Sequence, residues 1–123
     1  MKKKIAIIGS GIAGLTLANL LRMSLNSEFA VYEKEDNLNL SEGFGIQLSV
    51  NSVSVLNKLG FNNLNKNEIY QPKKLDFYTK EYNKICDLDL TTFNSTEEKY
   101  TTLKRSTLIK FLKEKLLSNS ILF

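Results

Sequence analysis

Three glycines and one carboxylate carry the chemistry that can be read from this chain. Gly9, Gly11 and Gly14 close the run Ile5-Ala-Ile-Ile-Gly-Ser-Gly-Ile-Ala-Gly, and Glu33 follows 19 positions after the last of them. The first glycine permits a tight turn out of a strand. The second removes the side chain where backbone must approach a pyrophosphate, and the third lets a helix pack closely on a sheet. Ser10, Ile12 and Ala13 lie between them, so their N–H groups sit at the turn and at the positive end of the helix, where phosphates bind. A carboxylate about 20 residues further on accepts hydrogen bonds from a ribose hydroxyl. Glu33, followed by Lys34, meets that spacing. The chemistry these residues can do is binding: a pyrophosphate on the loop and a ribose on the acid.

Glycines at this spacing arise often by chance, so the elements that must hold them decide the matter. A near-continuous apolar run at about 4–9 reads as a parallel strand covered on both faces. A helix follows, with Ile12, Leu15, Leu17, Ala18, Leu21 and Leu25 on or near one stripe, ending near Asn26 and Ser27. Residues 28–33 form the second strand and present Glu33 at its end. The plain alternative is a glycine turn in an ordinary α/β domain.

Composition narrows the classes. At 123 residues the chain is one domain at most, with 42% apolar and 24% charged residues. The net charge of +4 comes from lysines scattered along the chain; no basic face is interleaved with aromatics, so nucleic acid is not an expected partner. The single cysteine, Cys86, excludes an internal disulfide, fits a reducing cytoplasm, and reads as a half-buried strand thiol. With no histidine, a Ser-His, Cys-His or His-metal site cannot be built, and no metal site is expected. Lys2-Lys3-Lys4 before an apolar stretch imitates a signal peptide, but Gly9, Ser10, Gly11 and Gly14 interrupt that stretch. It is also too short and too broken to be a transmembrane segment.

Further along, residues 34–43 read as a loop and 51–59 as a helix stopped by Gly60. Two alternating runs, 74–80 and 84–90, make an antiparallel hairpin (residues 72–91) inserted into the βαβ rhythm, with Leu75, Phe77 and Thr79 on one face. A polar connection covers 93–99. Ser106 is expected to cap an amphipathic helix with Leu108, Ile109, Leu112, Leu116 and Leu117 on its apolar face, ended by Asn119-Ser120. Ile121-Leu122-Phe123 begins another parallel strand. A chain that stops inside such an element is expected to be the N-terminal piece of something longer, with an open sheet edge through which it could associate.

Three stretches together resemble the FAD-dependent aromatic hydroxylase family, the single-component flavoprotein monooxygenases. They are Gly9 to Lys34; Gly43-Phe44-Gly45-Ile46-Gln47-Leu48 with Asn51 and Leu56 to Gly60; and Leu103 to Leu112. The resemblance implies an α/β fold: a Rossmann-type FAD-binding domain over residues 1–123, incomplete, with the hairpin inserted and the C-terminal substrate domain absent. It implies that Gly9, Ser10, Gly11, Ile12, Ala13 and Gly14 hold the FAD pyrophosphate, and that Glu33 with Lys34 meets the adenosine ribose. Gly45, Ile46 and Gln47 would lie along the cofactor, and Arg105 would reach back to it. The chain has 15 lysines and only two arginines, so an arginine at a helix start suggests that a guanidinium fork is wanted there; a surface ion pair is the alternative.

By the same resemblance, NAD(P)H serves as co-substrate, a small aromatic molecule is hydroxylated, and the flavin carries the chemistry, so no catalytic residue is named. Only the hairpin could contribute to the substrate side. Some relatives carry an arginine where this chain has Phe44, and two later family motifs, an Asp-Gly and a Gly-Asp segment, are missing. The 123 residues alone are expected to bind FAD weakly and to have no turnover. Two rivals stand beside this reading. One is an NAD-dependent dehydrogenase domain, in which Glu33 would repel a 2′-phosphate; the other is a catalytically inactive truncated product. Substrate, NADH against NADPH, and oligomeric state are not encoded in these residues.

Overall fold

The computed structural model describes residues 3–24, 27–36, 43–117 and 120–122. The chain divides into two compact units, 1–44 with 104–123, and 45–103. Sequence expectations at Lys2, Leu25, Asn26, Asn119, Phe123 and most of the 34–43 loop fall outside the described residues.

In the first unit, β1 (Lys3–Ile8), α1 (Ile12–Arg22) and β2 (Ser27–Tyr32) form the expected βαβ unit, with β1 and β2 parallel from Lys3 opposite Ser27 to Ile8 opposite Tyr32. The last strand, β8 (Ile121–Leu122), adds to β2 in parallel, giving the order β1-β2-β8. The helix α3 (Arg105–Glu114) packs on α1. Leu15, Ala18, Val31, Leu108 and Leu112 are completely buried and form this unit's core. Asn19 is buried among them. Its side-chain amide donates to the carbonyls of Leu15 (2.8 Å) and Leu112 (2.9 Å), tying α1 to the C-terminal turn of α3. That carbonyl lies in the last turn, where helices leave acceptors without intrahelical donors.

The second unit contains β3 (Gly45–Leu48), α2 (Val50–Asn57), β4 (Ile69–Tyr70), the hairpin β5 (Lys74–Tyr78) with β6 (Lys84–Asp89), and β7 (Thr101–Lys104), which runs to its boundary. A three-stranded sheet has the order β3-β7-β4, with β4 and β7 antiparallel. Gly60 takes a left-handed φ of 84° after α2, as a helix-terminating glycine does. The hairpin pairs Leu75 with Leu88 and Phe77 with Cys86, with an irregularity after Phe77.

Several expectations are corrected. The β1-β2-β8 sheet is buried on one face only: Ile7, Val31 and Ile121 point inward, while Ile8 (82% exposed), Tyr32 and Leu122 stand on the exposed face. Strand alternation sends neighbours to opposite faces, and the helical packing of this unit buries one of them. Leu17 is exposed because the buried stripe of α1 runs through Leu15, Ala18 and Asn19, with a polar residue in the place a leucine was expected to fill. Ser106 is not the cap of α3: the cap is Lys104, and Ser106 lies inside the first turn. Leu117 is exposed because the helix ends at Glu114. Cys86 is exposed, since no residue of β6 is buried. The sheet β3-β7-β4 was not expected at all. Among the described residues, no helix is long and apolar enough to cross a membrane.

Candidate functional site

The glycine loop has the geometry that its spacing predicts. Gly9 has φ +95°, a left-handed value that favours glycine, and its N–H donates to the Tyr32 carbonyl at 2.7 Å, binding the loop to the end of β2. Gly14 is fixed by packing: a Cβ there would lie 2.0 Å from the Gly9 carbonyl oxygen and 3.3 Å from the Ile7 side chain. Gly11 is different. A Cβ there would meet no protein atom within 4 Å, and its φ of −70° suits any residue. The fold therefore requires Gly9 and Gly14, while Gly11 leaves an open approach at the helix start.

That helix start is electrostatically prepared for an anion. Gly11 is the N-cap of α1 and gives no side-chain cap, and no acidic residue lies in the first turn. Ile12 and Ala13 open the helix, so the dipole of an 11-residue helix and its leading N–H groups meet at Gly11. The absence of a Cβ at Gly11, of a capping side chain and of an acidic residue in the first turn together fits a pyrophosphate.

Glu33 lies at the end of β2, where the loop reaches it. Its Oε2 accepts from the Ser10 backbone N–H at 2.8 Å and from the Ser10 hydroxyl at 2.6 Å. Its Oε1 accepts from the N–H groups of Lys34 (2.8 Å) and Glu35 (3.2 Å). These donors, the Ser10 hydroxyl first, hold its pKa at about 2, so the carboxylate is ionised at any physiological pH. The Lys34 ammonium, which is exposed, pairs with Glu35 at 3.4 Å and not with Glu33.

The structure thus brings Ser10, Glu33 and Lys34 together with the glycine loop. Arg105 opens α3 beside a different segment: its N–H donates to the Phe44 carbonyl at 3.2 Å, and a Cβ on Gly43 would lie 2.9 Å from the Arg105 Cβ. Gly43, at φ +144°, is therefore the residue that lets the arginine stem pass. Gly45, Ile46 and Gln47 form β3 in the second unit. There the Tyr100 hydroxyl donates to Gln47 Oε1 at 2.7 Å, and Gln47 is otherwise exposed. Sequence reasoning did not find Tyr100, the reason for Gly43, or the commitment of Ser10 to Glu33. A serine inside the glycine loop with an acid at the next strand end was the available signal for the last of these.

Residues 7–41 match the family described as NAD(P)-binding Rossmann-like domain. The chain is 47% identical over 57 residues to 3-amino-4-hydroxybenzoate 2-monooxygenase of Streptomyces cremeus, covering 46% of this chain and 14% of that one. It is also 47% identical over 60 residues to 3-amino-4-hydroxybenzoate 2-monooxygenase PtnB3 of Streptomyces platensis, 48% of this chain and again 14% of the relative. Among solved structures, p-nitrophenol 4-monooxygenase PnpA of Pseudomonas putida DLL-E4 shares the fold with a TM-score of 0.76 at 16% identity, over 98% of this chain and 32% of that one. The 2,6-dihydroxypyridine-3-hydroxylase of Arthrobacter nicotinovorans does so with a TM-score of 0.70 at 16% identity, over 98% of this chain and 28% of that one. The chain spans about 14% of the length of the curated relatives it matches. Its likeness to aromatic-ring monooxygenases, read above from motifs, is thus met by relatives that carry that activity in their names.

Proposed function

We propose that this chain is the FAD-holding part of an NAD(P)H-dependent flavoprotein monooxygenase acting on a small aromatic substrate. The observation that carries the reading is the junction at Gly11: an uncapped helix start open to a phosphate, beside an ionised carboxylate fixed for a ribose. The monooxygenase relatives support oxygen transfer to an aromatic ring as the reaction class.

Gly9 and Gly14 shape the loop, the N–H groups at Gly11, Ile12 and Ala13 meet the pyrophosphate, Ser10 holds Glu33 beside it, and Glu33 accepts from the adenosine ribose. Lys34 fixes Glu33 through its backbone, and Arg105, in the same unit, contacts the cofactor further along. When bound, the flavin supplies the redox and oxygen-transfer chemistry. The protein's own part is to bind and orient, which is why no side chain of this chain is assigned a catalytic step.

Fluorescence titration with FAD tests the reading. Saturable, weak binding that falls roughly tenfold in Glu33→Gln supports it, because a hydrogen bond to a charged acceptor is lost. Binding of NAD in preference to FAD would favour the dehydrogenase reading instead. The 123-residue chain alone is expected to show no turnover; aromatic-dependent oxidation of NAD(P)H by it would refute that part.

A further inference from the structure

We propose that Ser10 is a positioning residue that divides the Glu33 carboxylate between two tasks, so that Glu33 grips a ribose through one hydroxyl and not two. The inference rests on the reading that this loop holds a dinucleotide, and it assigns the specificity of that same site.

An ionised carboxylate offers about four acceptor positions. Here four donors already converge on it, two on each oxygen: the backbone N–H and hydroxyl of Ser10 on Oε2, the N–H groups of Lys34 and Glu35 on Oε1. The two oxygens are not equivalent. Ser10 is 2% exposed, so Oε2 faces the inside of the turn, whereas Lys34 and Glu35 are exposed and place Oε1 on the solvent side. A ribose hydroxyl must displace one of these donors. Taking Oε2 from the Ser10 hydroxyl, held at 2.6 Å, would strand a buried polar group. The Glu35 N–H, at 3.2 Å, makes the longest of the four bonds, and its exposed donor can turn to water. Oε1 is therefore the oxygen that exchanges, and Oε2 stays with the loop. A carboxylate open at both oxygens could take both hydroxyls of the ribose diol; this one takes one.

Calorimetric titration of the 123-residue chain with ADP, 2′-deoxy-ADP and 3′-deoxy-ADP tests this, in the wild type, Ser10→Ala and Ser10→Thr. In the wild type one deoxy analogue binds roughly tenfold more weakly than ADP and the other within about twofold of it. Ser10→Ala opens Oε2, so both analogues then bind more weakly than ADP. Ser10→Thr keeps the hydroxyl and keeps the one-sided pattern. Loss of stability alone would lower all three affinities together and could not move selectivity between the two hydroxyls. Equal loss, or no loss, from both analogues in the wild type would overturn the proposal while leaving the dinucleotide reading in place. So would an unchanged one-sided pattern in Ser10→Ala. A wild type that binds no ADP would overturn the dinucleotide reading itself, and the proposal with it.

Discussion

Two regions of this chain hold carboxylates ionised below their ordinary range, and they do it by opposite means. At the end of β2, Glu33 is held by a hydroxyl and three backbone amides, all neutral donors. On the hairpin, Asp76 and Asp87 are held by cations: Lys84 reaches Asp76 at 2.9 Å and Asp87 at 2.6 Å, and Lys74 reaches both at 3.3 Å. Lys84 is the main cause of the lowered pKa in both aspartates, and they raise its own in return. The difference separates a site from a scaffold. Neutral donors fix a carboxylate without cancelling its charge, so Glu33 can still attract a ribose hydroxyl and would repel a 2′-phosphate on that ribose. Lysines cancel the charge they fix, and the hairpin ring is a cross-strand ion network on a surface that buries none of its strand residues.

The comparison breaks most severely if the frame around Glu33 moves. Gly14→Ala places a Cβ against the Gly9 carbonyl, which cannot retreat without shifting the turn. A destabilisation of about 3 kcal/mol or more is expected, with loss of dinucleotide binding. Thermal melting followed by circular dichroism reads it, and a wild-type midpoint in this variant would show that packing does not set the loop.

A smaller effect comes from pH. The pKa of Glu33 in the folded chain, about 2, lies below its ordinary 4.5, so its contribution to stability is fully present above about 4.5. It is lost as pH falls from there through 2. Ser10→Ala removes the largest cause, so the Glu33 midpoint moves upward. Side-chain carboxyl NMR across an acid titration follows this directly, and an unmoved midpoint would show that the hydroxyl is not what holds the charge.

The smallest effect belongs to the hairpin. Lys84→Ala is expected to raise the pKa of Asp76 and Asp87, as added salt does in the wild type by screening. It leaves the Glu33 titration and dinucleotide affinity unchanged. A change in either would join the two regions that the comparison separates.

The βαβ unit was legible because its signal is local: turn, stripe and acid stand within one contiguous stretch, and Gly14 has one packing reason that spacing encodes. The hairpin was legible for the same reason, two alternating runs flanking a short turn. The sheet β3-β7-β4 was not. Its strands are two to four residues long, and Leu103 pairs with Ile69 across a wide sequence gap that no local periodicity records. Asn19 was missed because a polar residue in a core stripe is explained only by the Leu112 carbonyl it satisfies from another helix. Gly43 was noticed as part of a motif, but its reason, the Arg105 stem, is tertiary. At the site, the types and positions of Ser10 and Glu33 were legible; the four donors that converge on the carboxylate were not.

Under the proposed function Gly11 serves a ligand, whereas Gly14 serves the fold. Gly11→Ala measures this most directly, because a Cβ there touches nothing in the protein. Melting and FAD titration of this variant are expected to give a near wild-type midpoint, within the few tenths to 1 kcal/mol that an N-cap change costs, and FAD affinity at least about tenfold weaker. Wild-type FAD affinity in Gly11→Ala, with the fold intact, would contradict the account.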